Sequence, residues 1–434
     1  MAPKKKVDEE KSIKKKPSDG APLSRNERAA ALMEDVNKKF RGRAVLRSAS
    51  DYNLPYLTKR LPTGLLTLDL ELRGGFPSGG LSQVIGRRNA GKTLLAWQMI
   101  RQLQYYVGEK MMVLLAMTEI AADRSQARKV GVKISLGKDE IAALNASRKD
   151  DGLPPLSKKE IDEINPPQVG TIHELHAVSV EDFYDIILRS VEENTYHLIV
   201  IDSIGNALAN AEQENDSIKD KTYGGTSAPN TTFLKKLTNL LTMETEWGGV
   251  RDTCILGINQ VRDNIKDPNA PYKSPGGNAL EHAKLVDIFM ETGTMLGTEE
   301  AKFTPSGWKQ VFTPSGKEVN WSIKKGKAGM HEGGKGKLVF SFETSNLDFY
   351  IDTLMAGVTH GIIEQSGAWL GIRDPEDASK YLIRGQGKDA FIKMLQDDAV
   401  AKAAAGDVGS FMNYIREECF RKAGINIKYD NWEG

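Results

Sequence analysis

The sequence predicts an α/β fold built on a mostly parallel β-sheet with helices on both faces. Two observations lead to this prediction. Short, continuously apolar runs, such as Met111–Ala116 and His197–Asp202, are typical of strands that are buried on both faces. Stretches with helical spacing of apolar residues separate these runs, and strands that alternate with helices usually form a parallel sheet with crossover helices.

The composition is that of a soluble globular protein, and it excludes several classes of function. The 434 residues are 40% apolar and 27% charged, which allows a sizeable core. No apolar run approaches the ~20 residues of a membrane span, and the N-terminus lacks the apolar segment of a secretory signal. The two cysteines, Cys254 and Cys419, lack zinc-ligand spacing. We therefore expect a cytoplasmic protein without a membrane partner. A net charge of +1 means that a nucleic-acid role would need a local basic surface.

The first 60 residues contain a charged tail and one helix. Residues 1–24 are rich in Lys, Glu, Ser and Pro, and we expect a disordered basic tail. Its Pro3–Val7 segment resembles a nuclear-import signal or a DNA-attracting arm, although a simple solvated tail is the alternative. Residues 25–60 form a separate arm in this interpretation. Asn26–Phe40 has apolar residues at helical spacing, and so short a helix must dock on its own core or on a neighbouring subunit.

The clearest chemical signal is the stretch 86–93, which fits the G-x-x-x-x-G-K-[ST] pattern of phosphate-binding P-loops. A predicted strand, Leu81–Ile85, leads into it, and a predicted helix, Lys92–Tyr106, follows. Glycines allow backbone N–H groups to turn toward phosphate oxygens, and the helix N-terminus adds partial positive charge. Lys92 would lie near the β- and γ-phosphates, and Thr93 would bind Mg²⁺. We expect a nucleotide to contact the whole loop: Gly86, Arg87, Arg88, Asn89, Ala90, Gly91, Lys92 and Thr93. A glycine-rich turn with a chance lysine is the alternative.

Acidic residues follow two predicted strands. Asp202 ends the run His197–Asp202, where an aspartate of a P-loop enzyme would support Mg²⁺ directly or through water. The alternative is an ordinary acidic residue at the end of a strand. Glu119 follows Met111–Ala116, and the carboxyl ends of parallel strands lie beside the P-loop. Its carboxylate is therefore a candidate to orient or deprotonate an attacking water. The alternative is an acid that stabilises a helix N-terminus.

Two long polar loops, at about 205–230 and 262–277, are candidates for contact with a phosphate backbone. They hold basic residues among glycines and prolines, including Arg262 and Lys266 in the second loop, and Gly276 and Gly277 offer backbone N–H groups. Solvent-exposed loops without a ligand are the alternative. Gln260 ends the strand just before the second loop. Its neutral amide suits a hydrogen bond to a γ-phosphate, although a polar strand end need have no function.

Two segments are predicted to be insertions. Residues 134–168 are polar and contain two Pro-Pro pairs, and residues 294–318 carry a duplicated Phe-Thr-Pro-Ser-Gly. After the second segment, Trp321–Lys325 and Lys337–Phe342 are predicted to pair as strands. A helical pattern with a small mixed domain begins at about residue 351.

The order of these motifs resembles that of bacterial RecA-type recombinases over most of the chain. The segments that carry the resemblance are Asn26–Ser50, Leu61–Gly80, Glu119 with Asp123 and Ala127–Gly131, Ile201–Ser203, Ile258–Arg262, Gly276–Leu280, Lys325–Lys327 and Gly357–Trp369. The resemblance implies a RecA-like P-loop ATPase core over residues 61–350, a C-terminal α+β domain over 351–434, and ATP with Mg²⁺ as cofactors.

The resemblance also implies roles for single residues. Glu119 corresponds to the catalytic glutamate and Asp123 to a residue that contacts the base. Gln260 corresponds to the residue that links the γ-phosphate to the DNA loop, and Lys325 and Lys327 to lysines that reach the nucleotide of the neighbouring subunit; an exposed basic hairpin is the alternative for this pair. The second DNA loop contains the candidate DNA-binding residues Arg262, Lys266, Gly276, Gly277 and Asn278.

Several positions depart from the family pattern. Gln126 stands where the family has an adenine-stacking tyrosine, which predicts looser base selectivity. Asn264 replaces a second basic residue of the DNA loop, and Lys266 could take over its contact. Thr226–Pro229 lacks an expected arginine, and the C-terminus lacks a strongly acidic tail. Such divergence would suit a phage-encoded or otherwise outlying member.

We therefore expect a DNA-dependent ATPase that forms helical filaments on single-stranded DNA and exchanges strands with homologous double-stranded DNA. Two alternatives stay open. One is a hexameric helicase motor with the same core. The other is an ATP-gated filament that acts as a scaffold for repair partners.

Overall fold

The structure alternates strands and helices, as the sequence predicts. The computed structural model describes residues 24–40, 46, 55–118, 123–165, 167–177, 179–205, 228–243, 249–263, 272–273, 277–305, 307–405, 407 and 409–426. The described helices are α1 Arg25–Lys39, α2 Pro55–Thr58, α3 Leu66–Glu71, α4 Lys92–Val107, α5 Arg124–Val130, α6 Lys138–Asp150, α7 Lys158–Ile164, α8 Val180–Glu192, α9 Ala228–Thr242, α10 Gly277–Ala283, α11 Phe349–Thr359, α12 Lys388–Ala404 and α13 Phe411–Lys422. The described strands are β1 Arg60–Leu61, β2 Phe76–Pro77, β3 Gly80–Gly86, β4 Met112–Met117, β5 Thr171–Leu175, β6 Leu198–Asp202, β7 Cys254–Gln260, β8 Arg262–Asp263, β9 Tyr272–Lys273, β10 Lys284–Thr304, β11 Gly307–Gly326, β12 Lys335–Ser341, β13 Asn346–Leu347, β14 Glu364–Ser366, β15 Trp369–Arg373 and β16 Tyr381–Gln386.

The chain divides into two units, Met1–Tyr52 and Asn53–Gly434. In the first unit α1 confirms the predicted helix. A capping box fixes its start, because Ser24 N–H donates to Glu27 Oε2 at 2.8 Å and Glu27 N–H donates to Ser24 Oγ at 3.3 Å. No residue of α1 is buried, and Leu32 is 55% exposed. The expectation that this helix docks on a partner stays a prediction.

The second unit is built around one sheet of nine described strands, in the order β13-β12-β11-β10-β3-β7-β6-β4-β5. The pairings from β10 through β5 are parallel, and those from β10 to β13 are antiparallel. This arrangement confirms the predicted α/β fold with a mostly parallel sheet. The P-loop strand β3 lies between β10 and β7.

Both faces of the parallel part of the sheet are covered. Val113 and Leu115 of β4 belong to the apolar core beneath α4, whereas Leu114 and Ala116 belong to the core beneath α8 and α9. Alternate side chains of one strand therefore enter two different cores. This explains why the sequence of β4 is continuously apolar rather than alternating.

The 134–168 segment contains two surface helices, α6 and α7, before the edge strand β5. Sequence reasoning missed β5. Its five residues, Thr171–Leu175, are mostly half-buried and include a histidine and a glutamate, so they lack the apolar run of a central strand. A short polar strand is usual at the edge of a sheet.

The segment 294–318 is the outer part of a long hairpin. Strands β10 and β11 pair antiparallel from Val286↔Gly326 to Thr304↔Gly307, whereas β10 pairs with β3 only as far as Met290↔Gly86. Residues 291–304 therefore extend past the carboxyl edge of the parallel strands. Trp308, just after the turn, is 72% exposed. The sequence predicts that Trp321–Lys325 pairs with Lys337–Phe342, and the two strands do pair as β11 and β12. The register differs, because Trp321 pairs with Gly336 and Ser322 with Lys335 at the start of β12.

The C-terminal region packs α11, α12 and α13 with the antiparallel sheet β14-β15-β16. Its apolar core includes Leu66 and Leu70 of α3, so the segment that leads into the P-loop shares a core with the C-terminal region. None of the helices in the described ranges combines the length and apolarity needed to cross a bilayer.

Two buried carboxylates lie where α3 meets the C-terminal helices. Asp69 accepts hydrogen bonds from Thr63 N–H at 2.7 Å and Arg416 Nη2 at 3.0 Å. Asp352 of α11 accepts hydrogen bonds from the backbone N–H of Thr67, at 3.2 Å, and from its hydroxyl. Burial raises the pKa of Asp352 to about 7, and burial also raises the pKa of Asp69 despite the guanidinium of Arg416.

Candidate nucleotide-binding site

The P-loop connects the end of β3 to the start of α4. Gly91, which precedes α4, has φ 83°, and Asn89 has φ 60°, so two residues of the loop adopt the left-handed region. Glycine and asparagine are the residues that tolerate this region most readily. A Cβ on Gly86 would lie 2.0 Å from the carbonyl oxygen of Met290, so only glycine fits between β3 and β10 at this point.

Lys92 is buried at the first position of α4. Its Nζ donates to the carbonyl oxygens of Gly86, at 3.0 Å, and Arg87, at 2.7 Å. Burial lowers the pKa of Lys92, and the negative charge of Asp202 opposes this shift. The ammonium group thus lies inside the curve of the loop, where phosphate oxygens of a nucleotide could replace the two carbonyls.

Thr93 in the first turn of α4 contacts Asp202 at the end of β6. Thr93 Oγ1 donates to Asp202 Oδ2 at 3.0 Å. Asp202 is the last residue of β6, and it aligns with Met117 of β4 and Ile258 of β7 at the carboxyl edge. A hydroxyl and a carboxylate oxygen in contact are the donor set that Mg²⁺ uses in P-loop proteins, so these residues fit a magnesium ion.

A cavity of about 710 Å³ opens over the P-loop. This volume lies within the usual range for a site that holds a small ligand or cofactor. The cavity brings together predicted residues from separate parts of the sequence. Those that line it are Arg88, Asn89, Ala90, Gly91, Lys92, Thr93, Asp202 and Gln260.

Gln260 lies beside the P-loop in the sheet. It is the last residue of β7 and pairs in register with Gly86. Its backbone N–H donates a hydrogen bond to Asn259 Oδ1 at 2.9 Å. Strand β8 begins two residues later with Arg262, which pairs with Lys273 of β9. The second loop thus leaves the sheet directly from the nucleotide cavity.

Gln126 and Asp123 lie at the start of α5. Gln126 lines the cavity, and its Nε2 donates to the carbonyl of Ser345 at 2.7 Å. Asp123 caps the helix, because its Oδ1 accepts a hydrogen bond from Gln126 N–H at 3.0 Å. The expected contact of Asp123 with a nucleotide base stays a prediction.

Sequence reasoning missed Lys317. This residue lines the cavity from β11, and its Nζ donates to the carbonyl of Asn89 at 2.7 Å. Lys317 follows the second copy of the duplicated segment, inside residues that were expected to be an insertion. The position of Lys317 depends on the register in which β10 and β11 pair, and no pattern in the sequence indicates this register.

Lys325 and Lys327 lie away from the cavity of their own chain, near α10. Lys325 is half-buried and its Nζ donates to the carbonyl of Glu281, whereas Lys327 is exposed. Burial lowers the pKa of Lys325, and the positive charge of Lys327 adds to this effect. Lys284 is buried nearby and donates to Gln83, Glu281 and Asp287. This basic cluster lies where α10 emerges from the second loop.

Some predicted residues lie outside the described part of the chain. These are Glu119, Lys266, Gly276 and most of the first loop, 206–227. For Arg262 and Gly277 the backbone alone is described, in β8 and α10. Asn278 is exposed on α10.

Comparison with known proteins shows bacterial relatives. The chain is 25% identical to the RecA protein of Citrifermentans bemidjiense, 27% to that of Geobacter sulfurreducens and 26% to that of Oleidesulfovibrio alaskensis. The alignments cover 78%, 78% and 88% of this chain and 82%, 82% and 90% of the relatives. No protein-family model matches. Among solved structures, a crystal structure of the RadB recombinase aligns with TM-score 0.40 and 17% identity, covering 66% of this chain and 98% of that one.

These alignments confirm the resemblance drawn from the motifs: the chain is a divergent relative of the bacterial RecA proteins. It combines a mostly parallel nine-stranded sheet that carries the P-loop with a smaller antiparallel C-terminal sheet.

Proposed function

We propose that this chain is an ATP-dependent recombination protein that assembles as a filament on single-stranded DNA and pairs it with homologous double-stranded DNA. One observation supports the proposal more than any other. The contact of 3.0 Å between Thr93 and Asp202 lies beside Lys92, at the sheet edge from which the second candidate DNA loop departs. The similarity to RecA proteins along most of the chain supports the same function.

In this proposal Lys92 and Thr93 hold the phosphates and the magnesium ion of ATP, and Asp202 supports the ion. Magnesium would neutralise charge that develops on the phosphate oxygens during transfer. Glu119 would orient or deprotonate the attacking water. Positioning and charge stabilisation are the main contributions that a protein makes to phosphoryl transfer, and these groups would supply part of both.

Gln260 would carry the state of the nucleotide to DNA. A hydrogen bond from its side chain to the γ-phosphate exists only with ATP, and β8 follows it immediately. ATP therefore acts mainly as a ligand that favours one of two states, because its differential contacts stabilise the conformation that grips DNA. Hydrolysis removes the γ-phosphate and with it this preference.

The loops at about 205–230 and 262–277 would hold the phosphate backbone of the DNA. Arg262 and Lys266 supply charge, and Gly276, Gly277 and Asn278 supply backbone or amide donors. Sequence recognition then comes from base pairing between the strands. The net charge of +1 implies that affinity depends on these local groups, so binding should weaken steeply with salt.

We further propose that Lys325 and Lys327 complete the nucleotide site of a neighbouring subunit. The two lysines lie near α10 rather than at the cavity of their own chain. This assignment makes a specific prediction for mixtures. A variant with Lys92→Ala and a variant with Lys325→Ala and Lys327→Ala should each hydrolyse ATP poorly. Mixing them should restore part of the activity, because some interfaces then pair an intact P-loop with intact lysines.

The decisive test of the proposed function is Lys92→Ala. The variant should lose ATP-stimulated binding to a fluorescent single-stranded oligonucleotide and should lose strand exchange. Lys149→Ala, on the exposed surface of α6, removes the same charge far from the cavity and serves as the control. Unchanged binding and pairing by Lys92→Ala would refute the proposal.

A second variant separates the proposal from the two alternative functions. If Glu119→Gln keeps DNA pairing while hydrolysis is lost, assembly rather than turnover performs the pairing. Electron micrographs with ATP and single-stranded DNA should show helical filaments. Closed rings would favour a hexameric motor instead, and filaments without any pairing activity would favour a scaffold.

A further inference from the structure

Lys317 is a cation in the nucleotide cavity that the proposed function leaves without a role. It reaches the cavity from β11, and its Nζ lies 2.7 Å from the carbonyl oxygen of Asn89. The same Nζ is 5.4 Å from the centre of the Phe340 ring, which also lines the cavity. The backbone carbonyl and the aromatic face each carry only partial negative charge.

Among the described residues, no carboxylate forms an ion pair with Lys317. Burial lowers the pKa of Lys317, and no carboxylate of the described residues offsets this effect. By contrast, the buried Lys284 contacts two carboxylates, and Lys92 is stabilised by Asp202. A partly buried ammonium group beside a phosphate-binding loop is therefore suited to an anion that enters from solvent.

The contact also joins the hairpin to the P-loop. Thr292 Oγ1 donates to the same carbonyl of Asn89 at 3.5 Å, and Thr292 and Lys317 lie on the two strands of the hairpin near its base. The register places Thr292 opposite Val319, two residues from Lys317. Asn89, with φ 60°, is one of the two left-handed positions of the loop. Thr292 and Lys317 both belong to the β10–β11 hairpin, so this one element contacts the P-loop twice at Asn89.

We propose that Lys317 binds the phosphate chain of the nucleoside triphosphate, as a second cation from the same chain that acts together with Lys92. The inference rests on the proposed function, because it concerns the same site. When nucleotide binds, Nζ exchanges the carbonyl of Asn89 for a phosphate oxygen, which carries more negative charge. The base of the hairpin then responds directly to the presence of phosphates.

The test is calorimetric titration of ATP with Mg²⁺, and of adenosine, into the full chain. Lys317→Met removes the charge and keeps most of the length of the side chain. ATP should bind it roughly tenfold more weakly, at the lower end for a lost charge-assisted hydrogen bond because the site is partly exposed. Adenosine should bind equally to both proteins. Lys317→Arg should recover most of the affinity for ATP, and Lys309→Met, on the exposed outer hairpin, should match the unmodified chain.

Three results would overturn the inference. Equal ATP affinity of Lys317→Met and the unmodified chain would remove the phosphate contact. Equal weakening of ATP and adenosine would assign Lys317 a purely structural role in holding the P-loop. Failure of the unmodified chain to bind ATP would refute both the proposed function and the inference. Tight ATP binding by the unmodified chain, with the same affinity in Lys317→Met, would refute the inference alone.

Discussion

Asp352→Asn should remove a dependence of stability on pH that a buried carboxylate imposes. Asp352 is 1% exposed, and burial raises its pKa from 3.8 to about 7. The folded chain therefore holds this proton more tightly than the unfolded chain does. The stabilisation is fully present below the unfolded pKa, decreases as pH rises from about 4, and is lost once pH passes about 7.

The magnitude follows from the size of the shift. A difference of about three pKa units, at 1.36 kcal/mol for each unit, corresponds to an upper limit of roughly 4 kcal/mol between acidic pH and pH 8. Asparagine keeps the shape of the side chain and stays neutral, and its amide oxygen can still accept the N–H of Thr67. The variant should therefore be the more stable protein at pH 8 and should show a flatter pH profile.

The assay is urea unfolding followed by tryptophan fluorescence at pH 5.5, 7 and 8.5. The comparison is between unfolding midpoints of the two proteins at each pH, because a chain of two units need not unfold in one step. Asp150→Asn, on the exposed end of α6, removes the same charge and should leave the profile unchanged. Asp69, whose pKa is also raised, and the charged Arg416 lie in the same cluster, so the stability of the variant will still depend to some extent on pH. Identical pH profiles for Asp352→Asn and the unmodified chain would refute the reasoning.

Two further changes test the geometry of the site. Gly86→Ala should lower the thermal midpoint by an amount equivalent to roughly 1–3 kcal/mol, because the added Cβ would lie 2.0 Å from the carbonyl oxygen of Met290. The control is Gly137→Ala, whose added Cβ would have no contact closer than 3.4 Å. Equal midpoints for the two variants would contradict the close approach at Gly86. Asp202→Asn should weaken ATP binding in the presence of Mg²⁺, but should have much less effect in EDTA, as measured by calorimetry. An equal loss in both conditions would show that Asp202 does not act through the metal.

The parallel half of the sheet could be predicted because its signals are local. Buried strands such as Met112–Met117 are continuously apolar, and the P-loop pattern fixes the junction of β3 and α4 within a few residues. Asp202 followed from the same logic, because the carboxyl ends of parallel strands share one edge. The structure brings Asp202 to Thr93 as that argument requires.

The hairpin could not be predicted, because most of the side chains that the structure describes in its outer part are exposed. Residues 294–318 contain Gly, Thr, Pro and Ser, and they lack the alternation that a half-buried strand shows. The position of Lys317 in the cavity could not be predicted for the same reason. A lysine becomes a candidate for the cavity only once the pairing Met295↔Lys317 fixes which strand it lies on and where.

The position of β3 in the sheet has a consequence for biosynthesis. Both of its neighbours come much later in the chain: β7 at Cys254–Gln260 and β10 from Lys284 onward. During synthesis on the ribosome, β3 therefore stays without its neighbouring strands until about 200 more residues have been added. This takes roughly 10–40 s at ordinary translation rates. Nascent chains stalled before residue 254 should leave this segment open to protease, and chains released past the β12 strand should protect it. Protection in the shorter chains would show that the strand finds other partners first.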